Sequence, residues 1–299
     1  MTTAPTKARF LMCPPDHFEV AYAINPWMDP QSWAREGRAL TAASHREWAT
    51  LRNRLLELGA TIELVPAAPG LPDLVFTANA AVVLDRKVLL ARFRHPERQR
   101  EQDHFELAFQ TLRQRGLIDV VRKLPDSLVL EGAGDCVWDR VRSLFWMGYG
   151  PRSDAAAHAI IEDVFDAEAI MLELADPRFY HMDTALCPLP RGEVMFVPSA
   201  FTPDGRARIH ERVGSASLIE VDIDDACQLA ANAICIGDVL LMSGCGERLH
   251  AKLTERGYRV MTTPLHSFLR SGGAAFCLTL RLDRRSDRAR VAAEDAAAA

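Results

Sequence analysis

The sequence predicts an α/β protein arranged as a ring of ββαβ modules, and three observations carry that reading. A strand with polar residues at its start, a tight turn, a very apolar strand, a helix and a third strand recur along the chain. Successive openings fall at positions 73, 130, 181, 227 and about 272, a spacing of about 50 residues, and a fixed spacing of this size marks a propeller or a repeat array. The last unit is divided between the two ends of the chain. A β-propeller blade has four strands and no helix, so one helix per unit points to a mixed module. An ordinary open α/β sheet is the alternative that alternating strands and helices also allow.

The first undivided unit opens at Asp73. LVFTANAAVVLD reads as its first strand, DRK as the turn and VLLARF as the second strand. A helix follows over 97–115, with Phe105, Leu107, Ala108 and Leu112 at helical spacing, and LIDVVRKL closes the unit. The next opens at Leu130, with CVWD, SLFWMGYG, a helix over 153–165 and AIMLELA. The third opens at His181, with TALCPL, the turn PRGE, VMFVPSAF, a helix over 203–213 and SLIEVD. The fourth opens at Cys227, with NAICIG, VLLMSG, a helix over 247–256 and RVMTTP. In the divided unit AAFCLTLRL is the first strand, RFLMCPP the second, 31–58 the helix and IELVPA the last strand. No Pro-, Gly- or Ser-rich linker interrupts the series, so residues 9–283 are expected to form one domain. Residues 1–8 and 284–299 are expected to be flexible ends.

Composition narrows the function. Hydrophobic residues make up 48% and charged residues 25%, ordinary for a globular chain. A net charge of −5 and the lack of like-charge blocks give no reason to expect nucleic acid. No apolar run approaches the roughly 18 residues that span a bilayer, so no membrane partner is expected. The first residues lack the apolar core of a signal peptide, which reads as cytoplasmic. Seven cysteines, odd in number and irregular in spacing, do not make a disulfide scaffold. Most are expected to be reduced and buried.

The chemistry-bearing residues stand at the openings of the first strands: Asp73, Phe76 and Asn79; Glu131 and Asp135; His181 and Asp183; Asn232; Gly272, Gly273 and Cys277. In a closed ring these positions converge on the axis. A funnel lined by carboxylates, a histidine and a cysteine suits a cation, because isolated buried charges need a partner. Cys277 follows two glycines that let a substrate approach its strand closely, which suits a nucleophile. A structural cysteine is the plainer reading, and it is kept for Cys13, Cys136, Cys187, Cys227, Cys235 and Cys245. His181 and Asp183, alternate residues of an expected strand, would enter one pocket together. His181 could move protons and Asp183 could hold a guanidinium. No third histidine or carboxylate stands at ligand spacing, so neither a metal nor another cofactor is expected. Phe76 could stack on a planar cation. Asn79 can donate or accept, whereas an ionised carboxylate only accepts. Glu131-Gly-Ala-Gly-Asp lacks the Walker lysine and the full dinucleotide pattern, so it is not read as a phosphate loop. Arg98 and Arg152 carry the fork that matches a substrate carboxylate, although each alone reads more simply as a surface arginine.

Taken together, these motifs resemble the guanidino-group-modifying superfamily of amidinotransferases, arginine deiminase and dimethylarginine dimethylaminohydrolase. The resemblance runs from Phe10 to about Leu282. It implies the five-fold pseudosymmetric ββαβ propeller, or pentein, fold. It also implies Cys277 as nucleophile, His181 as general acid and base, and Asp183 and Glu131 as guanidinium ligands. Asp73 and Phe76 match the Asp-x-x-Phe-x-x-Asp motif, whose last aspartate is Asn79 here, and Arg98 and Arg152 match the arginines that hold the substrate carboxylate. FLMCPPDHFEVAYAINPWM, FTAN and GGAAFCLTL look most like arginine dihydrolase, with Asn25 and Asn79 matching the asparagines that set it apart from deiminase. The implied reaction converts L-arginine to L-ornithine, ammonia and carbon dioxide. Citrulline formation from arginine or a methylated arginine is the alternative within the superfamily, and a non-catalytic arginine-binding protein is the alternative outside it. The expected partner is a small molecule, L-arginine or a derivative. Self-association into a homo-oligomer is left open. The segment from Asn25 to Met28 is expected to cover the site, with Pro26 and Trp27 stiffening it.

Overall fold

The computed structural model describes residues 7–289 and 291 of the 299. Among them are five three-stranded sheets with one topology: a hairpin, a helical connection, and a third strand that returns parallel to the hairpin's second strand. The first undivided unit is Ala81–Leu84, Lys87–Leu90 and Val120–Arg122. The next three are Cys136–Asp139, Leu144–Tyr149 and Glu168–Glu173; Leu186–Pro188, Val194–Phe196 and Leu218–Glu220; and Ile234–Ile236, Val239–Met242 and Arg259–Thr262. In the divided unit Arg9–Met12 lies between Leu280–Arg281, antiparallel, and Thr61–Leu64, parallel.

The second strand is central in every sheet, and its sequence says why. VLL, LFWMG, VMF and VLLM are buried at every position, as expected of strands covered on both faces, which read as continuous apolar runs. The hairpin turn at Asp85 and Arg86 has both residues left-handed, φ 53° and 61°, the conformation that two-residue hairpins favour and that L-residues disfavour. Side-chain bonds hold it there. Asp85 accepts from the Ser286 N–H and hydroxyl, and the Arg86 guanidinium forks onto Asp119.

The connecting helices carry their own start and stop signals. Asp29 caps Pro30–Glu57 by accepting from the Gln31 and Ser32 N–H groups, with Pro30 at the first helical position. Trp33, Leu40, Trp48, Leu51 and Leu55 form its buried stripe. Leu51 and Leu55 each stabilise the fold by roughly 1.5–3 kcal/mol through burial. Pro203–Val213 matches the expected range. Thr202 caps it by accepting from the Gly205 N–H, and Gly214, φ 79°, ends it.

Two expectations change. In three units the polar opening folds into helical turns, Pro72–Val75 and Thr77–Ala80, Gly132–Gly134, and Met182–Ala185, so LVFTANAAVVLD and TALCPL give strands shorter than the sequence suggests, Ala81–Leu84 and Leu186–Pro188, whereas CVWD is the strand Cys136–Asp139 as expected. The expected flexible end beginning at 284 is tied down in its first residues. Arg284 Nη1 donates to the Trp138 carbonyl at 3.3 Å, and Ser286 bonds Asp85. Residues 290 and 292–299 of that segment lie outside the described residues, as do 1–6 of the expected loose N-terminus. Ala8 is buried, and its carbonyl accepts from the Thr61 N–H at 2.8 Å. No helix among the described residues is long and apolar enough to cross a membrane.

Candidate active site

Openings of several units meet at a small, largely enclosed cavity. Asn25, Asp73, Phe76, Asn79, Arg98, Arg152, His181 and Cys277 line it. Glu131 and Asp183 join through hydrogen bonds to His181 and Cys277. His181 and Asp183 do not share one face of a strand, contrary to expectation. His181 is extended, but Asp183 lies in the helical turn Met182–Ala185. Period-two alternation does not apply there, and the two side chains take different partners.

On one side stands the thiol. Cys277 Sγ donates to Asp183 Oδ2 at 3.2 Å and accepts from Asn232 Nδ2 at 3.0 Å, while its N–H donates to Asn232 Oδ1 at 3.1 Å. Asn232 thus grips both the sulfur and the backbone of one residue, and its Nδ2 also donates to the Asp183 carbonyl at 3.1 Å. Burial, followed by the Asp183 carboxylate, pushes the Cys277 thiol well above its ordinary 9.0. Burial pushes Asp183 up to about 7, against hydrogen bonds from Cys277 and Asn232. Asp183 Oδ1 is buried with no hydrogen-bond partner. Such an orphan is costly, and a cation with N–H donors would satisfy it.

On the other side every charge is paired. Glu131 Oε2 accepts from His181 Nε2 at 2.8 Å and from Arg152 Nη1 at 2.9 Å, and Oε1 accepts from the Arg94 N–H at 3.2 Å. Burial works to raise this carboxyl, but Arg152 and His181 outweigh it and hold Glu131 well below the usual carboxylate range. His181 also lies 3.9 Å from Asp135 Oδ2. Asp135 is fixed by the Ser153 hydroxyl at 2.6 Å and the Met182 N–H at 3.1 Å.

Arg98 and Arg152 are buried rather than exposed, and both act on the protein. Arg98 forks onto Glu101 at 2.9 and 2.8 Å, donates to Asn79 Oδ1 at 2.9 Å and to the Asp73 carbonyl at 3.2 Å. Arg152 also donates to the Ile24 carbonyl at 3.0 Å and lies over the Tyr180 ring. Arginine can only donate, so its contact with Asn79 fixes the amide: oxygen to Arg98, nitrogen to the Glu131 carbonyl at 3.2 Å. A Cβ on Gly134 would fall 2.2 Å from that nitrogen, and one on Gly273 would fall 2.3 Å from the Phe76 ring. Both positions need glycine for the wall to close. Asp73 accepts from the Tyr22 hydroxyl at 2.9 Å and the Ser271 hydroxyl at 3.3 Å.

The segment expected to cover the site is latched at both ends. Asn25 Nδ2 donates to the Ser271 carbonyl at 3.1 Å, and Trp27 Nε1 donates to the Arg178 carbonyl at 2.8 Å. Asn232 is the residue whose role sequence reasoning missed. It stands at the opening of its unit as Asn79 does, and that position was the available signal. Among the described residues no three His, Cys, Asp or Glu side chains group as metal ligands.

A family model described as N,N dimethylarginine dimethylhydrolase, eukaryotic, matches residues 15–284. The chain is 42% identical over 277 residues to the bifunctional arginine dihydrolase/ornithine cyclodeaminase ArgZ of Synechocystis sp., covering 92% of this chain and 37% of that protein. It therefore spans little more than a third of that relative's length. It is 33% identical over 278 residues to the N(G),N(G)-dimethylarginine dimethylaminohydrolase of Mycobacterium tuberculosis, covering 93% and 87%. The N-terminal domain of ArgZ, an arginine dihydrolase solved as one variant bound to substrate and as another covalently bonded to a reaction intermediate, matches with a TM-score of 0.87. That match has 40% identity over 93% of this chain and 99% of that one.

Proposed function

This chain belongs to the N,N-dimethylarginine dimethylhydrolase family, and on that premise we propose that it is a cysteine-dependent hydrolase converting L-arginine to L-ornithine, two ammonia and carbon dioxide. The observation that carries the reading is the Cys277 sulfur held between Asp183 and Asn232 beside a carboxylate oxygen with no donor. The 42% identity to an arginine dihydrolase supports this substrate. The five like sheets and a cavity lined from several units support a five-fold pseudosymmetric propeller. Residues 9–283 would form its single domain. Seven free cysteines fit a reducing, cytoplasmic setting.

The arriving guanidinium supplies the donors that Asp183 Oδ1 lacks, and its charge lowers the thiol pKa. The Cys277 thiolate, with the Asn232 N–H on its sulfur, attacks the guanidinium carbon. His181, oriented by its bond to Glu131, carries the proton that leaves with ammonia. A covalent thiouronium remains. His181 then activates water, which opens that adduct to a bound ureido group. Cys277 attacks again, expels ornithine and leaves a carbamoyl thioester, which a second water cleaves to carbamate and thence to ammonia and carbon dioxide. Asn79 favours the second round. Its oxygen is turned to Arg98, so an amide N–H is left for a neutral ureido oxygen.

Arginine dihydrolysis is tested by incubating the purified protein with L-arginine and quantifying ornithine, citrulline and ammonia. Ornithine with two ammonia per arginine is the expected result. Citrulline with one ammonia makes the chain a deiminase and removes the role given to Asn79. Turnover of methylated arginine alone moves it to the second reading, which the family match and the mycobacterial relative favour.

A further inference from the structure

Glu101 is a fully buried acid that the proposed reaction leaves without a role. It opens the helix Glu101–Gln114, one helical turn after Arg98. Its two oxygens accept from Arg98 Nε at 2.9 Å and Nη2 at 2.8 Å, a two-point fork. The Phe93 ring lies against the same guanidinium, with its centroid 4.4 Å from the central carbon, and the Asp73 carbonyl accepts from Nη2 at 3.2 Å. A planar group held at these points cannot rotate without losing them. The remaining nitrogen, Nη1, is thereby aimed at Asn79 Oδ1, 2.9 Å away.

The Asn79 amide could stand either way round, and its neighbours make the two ways unequal. As it stands, Oδ1 faces a donor, while Nδ2 faces an acceptor, the Glu131 carbonyl, at 3.2 Å. Turned over, its nitrogen would oppose Arg98 Nη1 and its oxygen would oppose that carbonyl. Arginine has no acceptor to offer, so the place of Nη1 sets the orientation. Asn79 lines the cavity and Glu101 does not. The amide therefore decides whether the wall presents an N–H, which suits a neutral ureido oxygen, or an oxygen, which suits a guanidinium N–H.

We propose that Glu101 is a positioning residue: by fixing Arg98 it keeps the Asn79 amide turned to hold a ureido oxygen, and so favours the second round of hydrolysis over release of citrulline. The inference rests on the dihydrolase reading of the site. Glu101 acts through Arg98 and then Asn79, and it meets no reacting atom. Without the fork Arg98 is free to turn away from Asn79 Oδ1, and the amide can bring its oxygen to the cavity. The bound ureido group then leaves before Cys277 attacks again, and citrulline takes the place of ornithine among the products.

The test reads a ratio, which does not depend on how much of a variant is folded. Glu101→Gln removes the charge, and Glu101→Asp keeps it but draws the fork back by one methylene. Each is incubated with L-arginine, and ornithine and citrulline are quantified. The ornithine-to-citrulline ratio is expected to fall about 10-fold in both, the effect of one hydrogen bond, whereas a merely structural role lowers the two products together. A parent-like ratio in either variant overturns the proposal. The same contrast is read without turnover in Cys277→Ser, by calorimetry with L-arginine and with L-citrulline. Adding Glu101→Gln is expected to weaken citrulline about 10-fold relative to arginine. Equal weakening of the two ligands, or no binding of citrulline to Cys277→Ser, overturns the proposal. A parent that makes no ornithine refutes the dihydrolase reading instead, and the calorimetric ratio then decides by itself whether Glu101 sets the Asn79 amide.

Discussion

Glu131 and Asp183 are both acidic and almost wholly buried, one bonded to His181 and the other to Cys277 beside one cavity, yet the fold holds them in different states. Glu131 has a full set of donors, from Arg152, His181 and the Arg94 N–H, and is kept ionised. Asp183 has the Cys277 thiol on one oxygen and nothing on the other, and burial brings it to about 7. Pairing, rather than burial alone, decides the charge of a buried carboxyl. One side of the cavity is finished before any ligand arrives, and it positions His181. The other side lacks a cation.

The sharpest break of this contrast is at the sulfur. Cys277→Ser is expected to lose about 10⁴-fold or more of turnover, by analogy with nucleophile knock-outs elsewhere, with thermal unfolding little changed. Ornithine and ammonia assays check it, and persistent release would remove Cys277 from the chemistry. Next in size is Glu131→Gln, which leaves Arg152 buried without its counter-ion. Breaking a buried pair costs roughly 3–5 kcal/mol, to be measured by denaturant unfolding at neutral pH. Glu131 has a depressed folded pKa, so its contribution is present above the unfolded value and is lost as pH falls through the folded one. The gap between variant and parent should therefore close only in strong acid.

Asp183→Asn should move stability the other way. A carboxyl raised from 3.8 to about 7 stabilises the fold least above pH 7, since stability falls as pH rises between those values. The variant should gain up to a few kcal/mol at pH 8 and less at pH 5. It should also lose about 10²-fold in kcat/KM, from charge-assisted hydrogen bonds worth roughly 1.5–3 kcal/mol each. If unfolding shows a loss at both pH values, Asp183 is a paired structural acid like Glu131. The smallest effect expected is from Asn232→Ala, about 10-fold in kcat for one lost donor to a thiolate, with KM nearly unchanged. The pH profile of Cys277 alkylation should move upward with it. A change confined to KM would leave Asn232 a substrate contact and not a support of the sulfur.

Much of the scaffold was legible because its signals are local. Thr202, Pro203 and Gly214 delimit a helix without outside help, and the short apolar runs VLL and VMF, each beside a turn, read as buried strands. The openings were harder. LVFTANA reads as β by composition, but its backbone folds into two 3₁₀ turns, Pro72–Val75 and Thr77–Ala80, where Arg98 from a later segment takes the Asp73 carbonyl and the Asn79 oxygen. That is a tertiary override of local preference. His181 and Asp183 reach the cavity for the same reason, by a helical turn and not by strand alternation. Residue types at the site were readable; their partners, such as Asn232 on Cys277 and Glu101 on Arg98, depend on which units become neighbours.

The strand Arg9–Met12 lies between Leu280–Arg281 and Thr61–Leu64, which has a consequence during synthesis. Along this chain Asp73, Glu131, His181 and Asp183 are made before Cys277, and the strand that follows Cys277 pairs with Arg9–Met12, made before all of them. The divided sheet can therefore be completed only after Cys277 has been made, so the thiol and the last strand of that sheet arrive together.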